Sequence, residues 1–137
     1  MAATTEDQPI TRSDANKGFA PVGAAKTLPH GTMCFADSSG NAVPEAGGNQ
    51  FLGVVEPRAD NSGGAAGDID VEYNRTGQFQ LTGAGFAAAD LGKAVYATDN
   101  NTVSKTAADN SRVGTISEVI SATQVMVDLD PQYSVPA

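Results

Sequence analysis

The chain has no tryptophan, one cysteine and one histidine among its 137 residues. One cysteine excludes an internal disulfide, and one Cys with one His leaves too few soft ligands for a transition-metal site. Basic residues are also scarce: eight Lys and Arg stand against sixteen Asp and Glu, a net charge of −8 at pH 7. They are scattered from Arg12 to Arg112, so the clustered cations that nucleic-acid phosphates require are missing, and no nucleic-acid partner is expected. No stretch is apolar for the length a membrane span needs, and the first nineteen residues hold no apolar core of signal-peptide length. The expectation is a protein without a membrane partner, made and folded in a reducing cytoplasm. Cys34, inside the apolar run Met33 to Phe35, is then expected to be a small buried hydrophobe.

The hydrophobic share of 40% overstates the core, because 22 of those residues are alanine. The Val, Ile, Leu, Phe and Tyr residues lie in short runs, and 15 Gly and 7 Pro punctuate them, which is the pattern of many short strands joined by turns. Strands are predicted at 32–36, 51–56, 68–73, 78–81, 94–97, 112–120 and 124–129. The third alternates without a break, with Ile69, Val71 and Tyr73 on one face and Asp68, Asp70 and Glu72 on the other, as a half-buried antiparallel strand does. Asn74 to Gly77 predicts a tight connection to the next strand, whose Phe79 and Leu81 continue the apolar face. The stretch 61–67 has nothing to pack and is expected to be an exposed, flexible loop. Residues 86–91, fenced by Gly85 and Gly92, are the one candidate for a short helix.

The chain also echoes itself. Gly31, Phe35, Val43 and Gly53 recur as Gly92, Tyr96, Val103 and Gly114, at offsets of 61, 61, 60 and 61. Two copies are too few for a solenoid, so the echo predicts one β domain of two related halves. Residues 1–18, polar and without periodicity, cannot offset their ordering entropy alone and are expected to be an arm. The β domain is placed at 19–130 and a C-terminal tail at 131–137, either packed as an extended segment or free, with its prolines excluding a central strand.

No catalytic constellation stands out. Asp68, Asp70 and Glu72 would sit about 7 Å apart on one strand face, within the spacing used by inverting glycosidases. A solvated face of a half-exposed sheet presents the same pattern, and that reading is preferred here and for Asp128 and Asp130. His30 and Cys34 are four residues apart, about 13 Å in an extended chain, too far for a base and its nucleophile. Asp37 and Asp99 open turns that lack the alternating acids and closing Glu of a calcium loop. Gly85 to Ala94 has a Gly-Lys pair, but its glycines have the wrong spacing and Ala94 stands where Ser or Thr is required for a phosphate loop. Asn74-Arg75-Thr76 and Asn100-Asn101-Thr102 match the glycosylation triplet and are expected to be turn residues. No enzyme activity, cofactor or metal is expected.

Taken together, Asp68 to Tyr73, Gly77 to Leu81, Ala89 to Tyr96, Val103, Val113 to Ile116 and Gln124 to Leu129, with Phe51 to Val55 in the first half, resemble the capsid cement proteins of tailed bacteriophages over residues 31 to 129. The resemblance implies an all-β fold, a compact β-barrel or tulip-like domain. It also implies a structural role as a head decoration protein on the outer capsid surface of the virion, made in the bacterial host cytoplasm. The implied partners are the major capsid protein and other copies of the chain, as a homotrimer. The arm is the expected capsid-binding element, through Thr4, Thr5, Glu6, Gln8, Pro9, Ile10, Arg12 and Lys17, with 57–67 and 44–50 as lateral contact loops. The alternative is a receptor- or carbohydrate-binding module of a tail fibre or tip, which the lack of Trp and the three Tyr disfavour.

Overall fold

The computed structural model describes residues 3, 5–9, 16–108 and 110–134. Its elements are β1 (Lys17–Pro21), β2 (Thr27–Leu28), β3 (Met33–Ala36), β4 (Ala42–Val43), β5 (Gln50–Val55), β6 (Ala59–Asp60), β7 (Asp70–Asn74), β8 (Gln78–Thr82), β9 (Ala94–Ala97), β10 (Val103–Ser104), β11 (Ser111–Ser121) and β12 (Gln124–Leu129), with 3-10 turns at Ala88–Asp90 and Pro131–Tyr133. The fold is all-β, and all its ladders are antiparallel. The first half forms a sheet in the order β1-β7-β5-β3-β4, the second a sheet in the order β8-β12-β11-β9-β10, and β2 pairs with β6 beside the first.

The two sheets are the same sheet built twice. Met33 faces Val54, Cys34 faces Gly53, Phe35 faces Phe51 and Ala36 faces Gln50. Moved by 61 residues, these become Ala94 with Thr115, Val95 with Gly114, Tyr96 with Arg112 and Ala97 with Ser111, which are the pairs of β9 and β11. Even the bulge is repeated, with Leu52 and Val113 as the extra residue. The outer ladder repeats as well: Gly18 faces Tyr73 as Phe79 faces Val127, and Ala20 faces Val71 as Leu81 faces Val125. On the last strand the offset falls to 54, because the first half carries seven more residues between its fourth and fifth equivalent strands. Turns match too, since Asn49 and Asn110 each donate a side-chain N–H to the carbonyl four residues back, Glu45 and Thr106 respectively. Val43 and Val103 are not equivalent, however. Phe35 faces Val43 while Tyr96 faces Ser104, so Val103 takes the place of Ala42.

Neither sheet closes. The end of each first strand reaches its last strand through one parallel bridge, Val22 with Ala42 and Thr82 with Thr102, so the expected barrel is replaced by two curled open sheets. The interiors differ in what covers them. Ala20, Val22, Leu28, Cys34, Ala42, Val55, Val71 and Tyr73 form the first half's own core. The opposite face of its sheet, Met33, Phe35, Phe51 and Val54, joins the second half's interior of Leu81, Val95, Val103, Ile116, Val125 and Val127 in one cluster. This explains why β3 and β5 are apolar at consecutive positions, since both faces are buried. In the second half the corresponding Ala94, Tyr96, Arg112 and Thr115 are half-buried, and β9 and β11 alternate. The seam is closed by backbone groups: Met33 N–H donates to the Asn100 carbonyl at 2.8 Å, Phe51 N–H to Ser134 Oγ at 2.9 Å, and Ser111 Oγ–H to the Asn49 carbonyl.

Three expectations need correction. Asn74 to Gly77 does not turn a hairpin: β7 already lies between β1 and β5, and β8 pairs with β12, so the turn carries the chain from one sheet to the other. The 61–67 loop is pinned, because the buried Asn61 amide donates to the carbonyls of Val22, Gly23 and Ala65, and Gly67 N–H donates to Val22. Residues 86–91 form only a 3-10 turn, with Phe86 buried beneath it. The tail is packed as far as the buried Ser134; Val135 to Ala137 lie outside the described residues.

At the repeated bulge a glycine lies under a neighbouring carbonyl. A Cβ on Gly53 would come 2.2 Å from the Asn74 oxygen, and one on Gly114 would come 2.1 Å from the Asp128 oxygen. Gly53→Ala and Gly114→Ala should each destabilise the fold by about 2–3 kcal/mol, the upper part of the usual overpacking range. Gly63→Ala, where a Cβ meets nothing within 4 Å, should be near neutral. Urea unfolding checks all three, and equal neutrality at 53 and 114 would contradict the close approach.

Candidate functional site

The arm meets the body at Asn16. Its carbonyl accepts from Arg75 N–H at 2.9 Å, and its Oδ1 accepts from Thr76 Oγ1 at 3.2 Å. Of the residues expected to bind a capsid, Thr5, Glu6, Gln8 and Pro9 are exposed, and the Gln8 amide donates to the Glu6 and Asp7 carbonyls. Thr4, Ile10 and Arg12 lie outside the described residues. Lys17 belongs to the body and not to the arm: it opens β1, and its ammonium lies 3.5 Å from Glu56 and 3.8 Å from Glu72.

The strand that receives the arm is an edge strand. Asn16 and Val22 turn their backbone groups toward β7 and its neighbours, so by alternation Lys17, Phe19 and Pro21 turn theirs outward. Pro21 has no N–H to offer there, which shortens the adhesive part of the edge. Phe19, opposite Glu72, is 66% exposed, the most exposed large apolar side chain among the described residues. Beside the arm root, Arg75, Thr76, Pro131 and Gln132 line a groove of about 330 Å³. A second groove, about 440 Å³, is lined by Pro44 to Gly47 of the first half and Thr98 to Asn100 of the second, so part of the expected contact segment 44–50 meets a turn of the other half.

Most of the acidic side chains singled out in the sequence are engaged in structure. Asp68 lies outside β7 and accepts from Ala65 N–H at 2.9 Å, Asp70 is exposed, and Glu72 pairs with Lys17. Asp37 Oδ1 accepts from the N–H groups of Ser39 and Asn41, and Asp99 Oδ1 from that of Asn101, as turn caps do. His30 is exposed while Cys34 is fully buried, so the two do not share a site. Among the described residues no group of three or more His, Cys, Asp or Glu is placed to hold a metal ion, and no helix is long and apolar enough to cross a membrane.

Two charged clusters were not visible in the sequence. Asp90, buried beneath the loop before β9, accepts from Ala87 N–H and pairs with Lys105 at 2.9 Å and Lys93 at 3.1 Å. The Gly92-Lys93 pair is thus a strand entrance, where Gly92 N–H donates to Ile116 as Gly31 N–H does to Val55. Arg112 Nη2 lies 2.9 Å from Asp130 Oδ2, and its guanidinium carbon sits 5.9 Å from the centre of the Tyr133 ring. The ion pairs Asp90–Lys105 and Arg112–Asp130 unite residues 15 and 18 positions apart that share no local motif.

Hydrogen bonds from Lys105, Ala87 and Lys93 hold the Asp90 carboxyl well below the usual carboxylate range. A lowered folded-state pKa contributes stability above the unfolded value of about 3.9, lost as pH falls through and below it. Asp90→Asn should therefore destabilise the protein at pH 7, and urea titrations should show the gap to the parent narrowing progressively below about pH 4. A gap independent of pH would deny the ion pairs their role. Burial pushes the Cys34 thiol up to about 12. At pH 8 the folded protein should not react with iodoacetamide, while the denatured chain should react at an ordinary thiol rate; rapid native labelling would contradict the burial of β3. Comparison with protein-family models, with curated proteins and with solved structures found no match to this chain.

Proposed function

We infer that the chain is a structural virion protein that binds the outer surface of an assembled phage capsid as a homotrimer and strengthens it by bridging major capsid protein subunits. The observation that carries this reading is a polar arm, exposed over residues 5–9, that precedes an edge strand of the two-sheet body, at a surface bearing the exposed Phe19. The order of strands and glycines that resembles capsid cement proteins supports the same reading.

The physics of such a role suits the geometry. A ligand that binds only the assembled lattice stabilises that lattice by mass action. An arm that orders on binding covers much surface with few residues, at an entropic cost. Joining several weak contacts through one oligomer recovers the affinity. The receptor-binding alternative would draw on exposed aromatic platforms. Tyr73 is buried and Tyr96 half-buried, which leaves only Tyr133 and Phe19 as well-exposed aromatics among the described residues, a sparse platform that counts against it.

A chain lacking residues 1–15 keeps Asn16 and its two hydrogen bonds. It should unfold at the parent's urea midpoint, remain oligomeric, and no longer sediment with expanded capsids. Normal decoration of shells by the truncated chain would overturn the role given to the arm. Quantitative mass spectrometry of purified particles should find a copy number of the order of one per major capsid protein; a handful per particle would overturn the lattice-wide role.

A further inference from the structure

The two aromatic side chains left most exposed among the described residues are Phe19, on the first half, and Tyr133, beside the second, at 66% and 65%. Their surroundings differ in charge. Phe19 shares a sheet face with Glu72, directly opposite it, and with Asp70, opposite Pro21. Glu56 adds a further carboxylate, and Lys17, shared between Glu56 and Glu72, is the cation that answers them. Asp70 is exposed and makes no ion pair among the described residues. Tyr133 instead lies against a cation, with the Arg112 guanidinium carbon 5.9 Å from its ring centre. Arg112 is fixed by Asp130 through Nε and Nη2, and the Tyr96 hydroxyl also acts on it. These partners do not exhaust the N–H donors of a guanidinium that is still partly exposed.

The repeat shows what kind of surface this is. Tyr96 and Arg112 stand where Phe35 and Phe51 stand in the first half, and those two are fully buried in the seam against the second half. The open face is thus the second occurrence of one that already makes an interface. It also adjoins that interface, since the turn carrying Tyr133 ends at Ser134, whose Oγ accepts from Phe51 N–H. Tyr and Arg are the residue types that anchor protein interfaces. Two Phe19 faces brought together would oppose their carboxylates, and two Arg112 faces would oppose their guanidinium groups, whereas the unlike faces attract. We propose that copies of the chain join head to tail, with Phe19 of one copy seated against Tyr96 and Tyr133 of the next and its Asp70 facing Arg112. The order of halves within one chain then continues from chain to chain. Such a contact is heterologous, and it makes a ring where the rotation closes. It uses no residue of the arm. The proposal rests on the preceding reading only in taking the chain to self-associate, and it names the faces that do so.

The test is run on the full chain without capsid, by sedimentation velocity over a dilution series. Phe19→Ala, Tyr133→Ala and Asp70→Lys should each weaken self-association by about tenfold or more, as loss of an interface anchor or of a close charge pair does. Because Phe19 and Tyr133 are exposed, both alanine variants should keep the parent's urea midpoint, which separates loss of the contact from loss of the fold. An equal mixture of the two should associate more strongly than either alone, because the intact Phe19 of one chain can then meet the intact Tyr133 of another. A mixture no stronger than its components overturns the head-to-tail contact. A parent that is monomeric at every concentration overturns it together with the homotrimer of the preceding reading, whereas an oligomeric parent with unaffected variants overturns the contact alone.

Discussion

Both sheets depend on one close approach, the glycine that lets a neighbouring carbonyl lie against the bulged strand. At Gly53 and Gly114 the space that any side chain would need is filled by the Asn74 and Asp128 oxygens. The bulge at Leu52 and Val113 adds twist to the strand that carries it, and twist is what brings the end of the first strand round to the last. The single bridges Val22 to Ala42 and Thr82 to Thr102 are the outcome. The same local device, used twice at the same spacing, sets the curl of each half.

Built alike, the halves then part company on a single face. Phe35 and Phe51, with ring centres 6.0 Å apart, occupy positions that Tyr96 and Arg112 hold in the second half. Burying a large apolar side chain stabilises by about 1.5–3 kcal/mol, so the first half uses this face to hold the molecule together. The second half gives the face to Arg112, Asp130 and Tyr133, which remain partly in water. The inner residues change less in kind: Cys34, Val55 and Val71 are matched by Val95, Ile116 and Val125. A repeat whose interior is kept and whose outer face is altered in one copy makes an asymmetric pair, with one half as scaffold for the seam and the other with that face open.

What could be read from the sequence followed period and composition. β9 and β12 fall at the expected residues, and the other five predicted strands lie within two residues at each end, because alternating Val, Ile, Phe and Tyr settle both existence and face. The glycine echo located the two halves. Beyond that point local signals ran out. β2 and β6 are two residues each and have no period, and β1, with Gly18 and Pro21 around Phe19, reads like a loop. Asn74 to Gly77 carries the same turn chemistry whether it joins neighbours or crosses between sheets, so only the pairing of β7 with β5 decides. Lys17 looked like one more polar arm residue until Glu56 and Glu72 were brought to it by strands more than thirty residues away. Ionic clusters such as Asp90 with Lys105 depend on the finished fold and leave no motif behind.

The pattern of charge gives the last step. A protein with twice as many acids as bases has few cations with which to hold itself together, and here most of the described ones are engaged inside the fold, on Asp90, Asp130, Glu45, Glu56 and Glu72. The surface that remains is acidic, and acidic copies repel one another at long range. Attraction between them must therefore come from a few short contacts that act inside a Debye length of about 8–10 Å. Edge strands do not supply it readily, because Pro21 removes one donor from the outward side of β1. The groove beside the arm root holds Arg75, a cation with no carboxylate within ion-pair distance among the described residues, and so is one place where the local charge runs against the general acidity of the surface.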